Sequence, residues 1–316
     1  MTLVLRTARD WRVVVLLLVT LIALVSGIVY ASGSSDAVPA QTASGTCATP
    51  RPLTPGLTHH DLEFAGGTRT FDVYVPASYD GARRTRVVFL FHGYGGTPAK
   101  VLRTSAMEGL AEEKGFIVVA PQAAGEHPTW DFRTPGDVPD SDVAFARALV
   151  DRVREGACVD PDGIFAAGFS NGSAFSLALA CDDRSPFAAY GAVSGPYIAP
   201  DCSRARPATI AYFHGLVDPV VPYGGASTVI GPLPGVDDTI AQWVAHDRCP
   251  SRGARTAVEG PVRHFSWRDC ADGSAISVYT LRDAGHAWPA QVVGRDDASR
   301  LMWSFFTRAE QTARRG

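Results

Sequence analysis

The chain has 316 residues, 46% of them hydrophobic and 19% charged, and its formal net charge at pH 7 is −3. This balance leaves no basic patch of the kind that binds nucleic acid, so we expect no nucleic-acid partner. No Cys-x-x-Cys motif supports a zinc site, and we expect neither a metal nor another cofactor.

Residues 1–31 have the pattern of an export signal. Three arginines precede a predominantly apolar run, and Val29-Tyr30-Ala31 offers tolerated residues before a signal-peptidase cleavage point. The apolar run covers residues 13–30, which is also just long enough to cross a bilayer. We therefore expect either a cleaved signal peptide or an N-terminal membrane anchor. In both cases the rest of the chain is secreted or lies at the extracellular face, and any membrane contact comes through this segment.

The composition changes again after the apolar run. Residues 32–55 are rich in Ser, Ala, Thr, Gly and Pro, a composition that cannot bury a core and predicts a flexible linker. Residues 56–316 regain the apolar periodicity of folded protein, and about 260 residues suit one α/β domain. The sequence does not determine the oligomeric state.

Short apolar runs in this domain predict a central sheet. Phe71–Val75 alternates like a half-buried strand, with Leu62–Phe64 as its hairpin partner. Val87–Phe91 and Phe116–Ala120 are continuous apolar runs, as in parallel strands that are buried on both faces. Strands alternating with helices predict an α/β fold whose mainly parallel central sheet is flanked by helices. Segments of helical character lie at residues 99–114, 143–154, 173–180, 237–246 and 298–308.

The strand Val87–Phe91 leads into the glycine-rich sequence His92-Gly93-Tyr94-Gly95-Gly96. Such a turn presents a backbone N–H where negative charge develops in a reaction. We expect the N–H of Tyr94 to be one donor of an oxyanion hole. His92 is expected to brace the turn and not to react.

A second motif, Gly168-Phe169-Ser170-Asn171-Gly172, reads G-x-S-x-G. It follows a short apolar run and precedes an Ala- and Leu-rich helical segment, the context in which this pattern exposes a serine on a strained strand-to-helix turn. Ser170 is therefore the candidate nucleophile. The N–H of Asn171, directly after it, is the candidate second oxyanion donor.

The other two members of a catalytic triad follow in the order Ser, acid, His. Asp218 comes after the apolar run Thr209–Phe213, and His286 comes after the run Ile276–Leu281. A serine needs an imidazole to accept its proton, and the imidazole needs a carboxylate to fix its tautomer. All three candidates fall after strands, at the edge where open α/β sheets bind ligands.

Together H-G-Y-G-G, G-F-S-N-G, H-G-L-V-D-P-V-V-P-Y and G-H-A-W-P resemble secreted esterases of the polyhydroxybutyrate depolymerase/feruloyl esterase type. The resemblance runs from roughly Leu62 to Phe306. It implies an α/β-hydrolase fold and hydrolysis of carboxylic esters through an acyl-enzyme. It implies as substrates feruloyl or acetyl esters of plant polysaccharide, or short hydroxyalkanoate esters. One departure is Ser173, where many relatives have Gly or Ala.

Two tryptophans are candidates for substrate contact. Trp130 occupies a polar, proline-rich loop after a predicted strand, and Trp288 follows the candidate histidine by two residues. Aromatic side chains there would suit an aryl or short acyl group. Two alternatives to an esterase remain: a serine peptidase of the same fold, and a catalytically silent hydrolase-fold binding protein.

The cysteines are even in number, as expected for disulfides in an exported protein. Fifteen pairings of six cysteines are possible, and sequence does not choose among them. Pairing Cys181 with Cys202 and Cys249 with Cys270, each separated by twenty residues, would leave Cys47 to tie the linker to Cys158. The candidates are Cys47, Cys158, Cys181, Cys202, Cys249 and Cys270.

Overall fold

The computed structural model describes residues 45–228, 231–250 and 255–313. The predicted signal or anchor (1–31) and most of the predicted linker lie outside the described residues. Within these three ranges, no helix is both long and apolar enough to cross a bilayer.

Ten of the described strands form one sheet, in the order β1-β2-β4-β3-β5-β6-β7-β12-β11-β10, and β8 pairs separately with β9. The strands are β1 Gly56–Phe64, β2 Gly67–Val75, β3 Thr85–Phe91, β4 Ile117–Pro121, β5 Val159–Phe169, β6 Ala189–Val193, β7 Ile210–Gly215, β8 Ala226–Thr228, β9 Gly231–Leu233, β10 Arg255–Glu259, β11 Val262–Trp267 and β12 Ile276–Leu281.

The centre of the sheet is parallel and its two edges are antiparallel. Strands β4, β3, β5, β6, β7 and β12 run in one direction, so their carboxyl ends meet at one edge. An N-terminal hairpin, β1–β2, borders β4, and β11 with β10 borders β12. The prediction of a mainly parallel sheet is confirmed.

The helices lie between the strands. Thr97 caps α1 (Pro98–Ser105) by accepting a hydrogen bond from the N–H of Lys100. Ser141 caps α3 (Asp142–Gly156) in the same way, with the N–H of Ala144. The segment predicted as one helix over residues 99–114 is two helices, because Ala106 adopts a left-handed conformation with φ of 53°. The helices are α1 Pro98–Ser105, α2 Met107–Lys114, α3 Asp142–Gly156, α4 Asn171–Ala180, α5 Val236–His246 and α6 Ala298–Ala313.

Helices cover both faces of the sheet, which explains the continuous apolar runs of its central strands. Alternate residues of β3 point to opposite faces. Phe89 and Phe91 join a core that includes residues of α3, α4 and α5. Val88 and Leu90 join a second core with residues of α1, α2 and α6. With both faces packed, the chemistry is left to the loops at the strand ends.

Three disulfides close loops in the domain: Cys47–Cys158, Cys181–Cys202 and Cys249–Cys270. The second and third bonds join cysteines that lie close in sequence, and the first joins the predicted linker to Cys158. Residues 45–55 differ from the flexible linker predicted for them, since the N–H groups of Cys47 and Arg51 donate to the carbonyls of Ala82 and Gly81, both at 2.9 Å. The disulfide and these hydrogen bonds attach the segment to the domain.

Candidate active site

Ser170 lies on a sharp turn between β5 and α4, with φ of 56° and ψ of −118°. This conformation is strained for a residue with a Cβ and is typical of a nucleophile elbow. The glycines on either side make it possible. A Cβ on Gly168 would come within 2.0 Å of the Gly172 carbonyl oxygen, and one on Gly172 within 2.3 Å of the Phe91 carbonyl oxygen. The G-x-S-x-G pattern is therefore required by backbone packing.

The structure brings the three predicted triad side chains together. The Ser170 hydroxyl oxygen lies 3.0 Å from His286 Nε2, and His286 Nδ1 lies 2.8 Å from Asp218 Oδ2. Strands β7 and β12 are parallel neighbours, so the loops that carry Asp218 and His286 emerge side by side. Ser170 follows β5, which is two strands from β7 and three from β12, and His286 Nε2 reaches its hydroxyl across this distance.

Asp218 is buried, and its carboxylate has defined partners. Its Oδ1 accepts hydrogen bonds from the N–H groups of Val220 and Val221, both at 2.9 Å, while Oδ2 faces the imidazole. Asp283, only three residues before His286, is exposed to solvent. The carboxylate bonded to the histidine thus comes from the neighbouring strand end.

His286 is partly exposed, with 15% of its side chain accessible to solvent. The ring of Phe169 packs against it at a centroid distance of 4.8 Å. The imidazole is therefore held on one side by Phe169 and remains partly open to solvent. Within the described ranges, no cluster of His, Cys, Asp and Glu has the arrangement of a metal site.

The turn after β3 packs directly against Ser170, the candidate nucleophile. A Cβ on Gly93 would lie 3.2 Å from the Cβ of Ser170. The N–H groups of Gly95 and Gly96 already donate to Pro128 and Gly93 carbonyls, which leaves Tyr94 as the candidate donor from this part of the turn. The N–H of Asn171 belongs to the first turn of α4, where helical N–H groups have no intrahelical acceptor.

His92 braces the same turn. Its buried ring donates from Nδ1 to the Gly93 carbonyl at 2.7 Å and accepts at Nε2 from the N–H of Ala123 at 3.1 Å. Burial lowers the pKa of His92, which keeps the ring neutral and this tautomer in place. The side chain therefore serves the shape of the turn, as expected from the sequence.

The two predicted substrate contacts, Trp130 and Trp288, are corrected by the structure. Trp130 is 1% exposed, and its indole N–H donates to the His92 carbonyl at 3.0 Å. Trp288 is 5% exposed, and its indole N–H donates to the hydroxyl of Ser299 at 3.0 Å. Each ring has a buried hydrogen-bond acceptor and apolar neighbours, so it packs inward and does not line an open cleft.

Trp130 instead links the two glycine-rich motifs. Its backbone N–H donates to Asn171 Oδ1 at 2.7 Å, and its carbonyl accepts from Asn171 Nδ2 at 3.0 Å. The Asn171 side chain thus ties the loop after β4 to the start of α4, while the indole ring ties that loop to the end of β3. The asparagine in the G-F-S-N-G motif has a structural task beside the nucleophile.

Two further aromatic side chains pair on loops that follow strands of the sheet, and one of them, Phe132, lies in the same predicted loop as Trp130. Phe132 and Tyr197 are half-buried and meet edge to face at 5.0 Å, on the loops after β4 and β6. They also line a cavity of about 290 Å³, whose lining includes none of the three candidate triad residues and reaches Cys181 and Asp182, just past the end of α4 that is far from Ser170. Both rings also pack against the core that Phe89 and Phe91 join. Exposed apolar residues follow β3, β6 and β7, at Tyr94, Ile198, Leu216, Val217 and Val220.

The family model for esterases matches residues 63–260 of the chain. The chain belongs to this esterase family. Feruloyl esterase C of Emericella nidulans is 29% identical over 248 residues, which cover 76% of this chain and 84% of that protein. The probable feruloyl esterase C of Aspergillus niger is 31% identical over 70% of this chain and 82% of that protein.

A solved structure gives the same assignment of fold. The acetyl xylan esterase from Aspergillus awamori superposes with a TM-score of 0.60 at 14% identity, covering 78% of this chain and 98% of that one. The protein has the α/β-hydrolase fold, and this esterase is a carboxylic ester hydrolase.

Proposed function

We propose that this esterase is a secreted serine esterase that hydrolyses carboxylic esters through an acyl-enzyme, with Ser170 as nucleophile, His286 as general base and Asp218 as the acid. The observation that carries this proposal is the continuous contact from the Ser170 hydroxyl to His286 Nε2, at 3.0 Å, and from His286 Nδ1 to Asp218, at 2.8 Å. These are hydrogen-bond distances in the order that proton transfer requires.

In the proposed mechanism, His286 takes the hydroxyl proton as Ser170 Oγ bonds to the ester carbonyl carbon. Asp218 holds the imidazole in the tautomer that accepts at Nε2 and stabilises the imidazolium that forms. The N–H groups of Tyr94 and Asn171 donate to the oxyanion. His286 then protonates the departing alcohol, and a water molecule releases the acid from Ser170 by the same steps in reverse.

The assignment of export rests on two observations. The N-terminal sequence has the pattern of a signal peptide, and three disulfides join all the cysteines of the chain. Disulfides persist in oxidising compartments and are rare where thiols are kept reduced. The proposed location is therefore outside the cytoplasm, free if the N-terminal segment is cleaved and anchored if it is not.

For the substrate, we propose feruloyl or acetyl esters of plant polysaccharide, or short hydroxyalkanoate esters. Support comes from the feruloyl esterase names of relatives and from the acetyl xylan esterase name of a solved structure with the same fold. The aromatic pair Phe132–Tyr197, on the loops that follow β4 and β6, suits an aryl group, which would pack edge to face against these rings.

The test is hydrolysis of p-nitrophenyl acetate by Ser170→Ala. We expect turnover to fall by about 10⁴-fold or more, because the nucleophile is lost. The matched control is Ser176→Ala, which removes a buried hydroxyl without a hydrogen-bond partner from α4, less than two turns away. This control should keep the activity of the wild-type protein.

A second measurement detects the intermediate. The mass of wild-type protein stopped during turnover should increase by one acyl group, and the increase should map to the peptide that contains Ser170. Ser170→Ala protein with activity within tenfold of wild type, in a preparation free of other esterases, would exclude the proposed nucleophile. Activity of the wild type on peptides and none on esters would favour a peptidase.

A further inference from the structure

A second buried histidine lies beside the candidate triad. His214, near the end of β7, has no solvent-exposed side-chain area, and its Nε2 lies 3.6 Å from Asp218 Oδ2. This is the same carboxylate oxygen that faces His286 Nδ1. The separation is too long for a hydrogen bond, so His214 does not share the proton of the triad.

The contacts of His214 fix its tautomer. Its Nε2 lies 2.8 Å from the carbonyl oxygen of Val221, which can only accept, so Nε2 carries the proton. Nδ1 is then an acceptor and lies 3.1 Å from the hydroxyl of Tyr212. Burial raises the pKa of Tyr212 well above its usual range, so this hydroxyl keeps the proton that it donates.

The surroundings also keep His214 neutral. Burial lowers its pKa most strongly; the hydrogen bond to the Val221 carbonyl and the charge of Asp218 raise it, and the nearby His286 lowers it further. The edge of the Tyr223 ring packs on the imidazole at 5.8 Å, and the hydroxyl of Tyr223 donates to Asp237 on α5. A neutral ring matters here, because a charged one would compete with His286 for the carboxylate of Asp218.

The loop between Asp218 and Val221 connects His214 to the triad. The Val221 carbonyl accepts from His214, and the Val221 N–H donates to Asp218 Oδ1. Both the carbonyl and the N–H of Val221 are therefore held by hydrogen bonds. Because Oδ1 is held by the Val221 and Val220 N–H groups, the orientation of Oδ2 toward His286 depends on where this loop is fixed.

We propose that His214 is a positioning residue for the esterase reaction. Its Nε2–H fixes the Val221 carbonyl, so that the loop presents two N–H groups to Asp218 and directs the other carboxylate oxygen to His286. The inference rests on the proposed function of Ser170, Asp218 and His286. His214, the histidine of the H-G-L-V-D segment, orients the carboxylate of Asp218 and does not contact the substrate.

The test compares His214→Gln with His214→Asn. Glutamine can place an amide N–H near the position of Nε2, whereas asparagine is one methylene shorter and reaches only the position of Nδ1. For His214→Asn we expect kcat on p-nitrophenyl acetate to fall by about 10- to 100-fold, by analogy with the loss seen when partners that orient metal ligands are removed. KM should stay within about threefold, and His214→Gln should recover most of kcat.

The pH profile separates positioning from simple stability. If Asp218 is misdirected, it supports the imidazolium form of His286 less well, so the acidic limb of kcat/KM should move to lower pH in His214→Asn. In His214→Gln it should stay at its wild-type position. The melting temperature of each variant is measured in parallel, and kinetics are run well below it.

Three outcomes decide the inference. A folded His214→Asn protein with wild-type kcat and an unmoved acidic limb overturns it. Equal losses in both variants, with unmoved limbs, also overturn it, because the role would then be structural. If the asparagine variant does not fold, the glutamine variant decides, and a folded glutamine protein with a tenfold loss overturns the inference. Activity that survives in Ser170→Ala contradicts the proposed function itself, which is a separate result.

Discussion

Asp218 and Asp283 both lie near His286 in sequence or in space, and their surroundings distinguish them. Asp218 is buried and accepts hydrogen bonds from two backbone N–H groups in addition to facing His286 Nδ1. Asp283 is exposed on the same short turn as the histidine. A carboxylate held in this way acts on the imidazole in a fixed geometry, whereas an exposed one is screened by water.

We predict that Asp218→Asn lowers turnover of p-nitrophenyl acetate by about 10³- to 10⁴-fold. The amide can donate to His286 Nδ1 and thereby favour the tautomer that cannot accept from serine. Asp283→Asn is the matched control, since it makes the same chemical change three residues from the histidine, and it should stay within about tenfold of wild type. A reversed ranking at neutral pH would move the acid to Asp283.

The candidate triad was recognisable from sequence because its residues sit in local motifs after apolar runs, and the order Ser, Asp, His adds a further constraint. The tryptophans were not predictable in the same way. The sequence around Trp130 indicates a loop, but whether a ring in a loop turns inward depends on a distant acceptor, here the His92 carbonyl. Likewise, the contact between His214 and Val221 is set by the path of the loop.

At the scale of elements, the parallel strands were predictable because helices bury both of their faces and leave continuous apolar runs. The break at Ala106 was not, because alanine gives no signal for a left-handed conformation. The hairpin of β10 and β11 also escaped prediction. Its sequence carries charged and exposed residues among the apolar ones, as expected for strands at the edge of a sheet.

The loops after β4 and β6 carry the aromatic pair, and their prediction concerns choice of substrate. We expect Phe132→Ala to lower kcat/KM for methyl ferulate by about fivefold, because one aromatic contact contributes about 1 kcal/mol beyond its buried area. Turnover of p-nitrophenyl acetate should change by less than about threefold, since its acetyl group offers no ring for Phe132 to pack against.

The control for this prediction is Val258→Ala on β10, which also removes an apolar side chain, in this case an exposed one at the far edge of the sheet. It should affect neither substrate. Equal losses on ferulate and acetate in Phe132→Ala would mean that the loop has lost its shape, and would count against a role of this ring in acyl recognition.

At the scale of the whole molecule, the Cys47–Cys158 bond joins the start of the described chain to the beginning of β5. It spans 111 residues, against 21 for each of the others. A bond that closes a longer loop restricts the unfolded chain more, although measured gains follow loop length only loosely. It lies at the opposite end of β5 from Ser170, about 30 Å away along the strand.

We predict that replacing Cys47 and Cys158 together by serine lowers the free energy of unfolding by about 2–5 kcal/mol. The activity measured well below the melting temperature should remain near that of wild type, because the bond and the nucleophile are at opposite edges. Replacing Cys181 and Cys202 is the comparison and should cost less. Thermal unfolding followed by circular dichroism checks both, and an unchanged melting temperature in the first variant would contradict the prediction.

The order of strands in the sheet also sets when this enzyme becomes active during its synthesis. Ser170 is made 116 residues before His286, and β12, which carries the histidine into place, is the last strand of the sheet along the chain. A ribosome-bound chain therefore contains Ser170 long before it contains His286. With the proposed mechanism, it stays inert toward esters until nearly the entire domain has been made, so biosynthesis itself provides a form of latency.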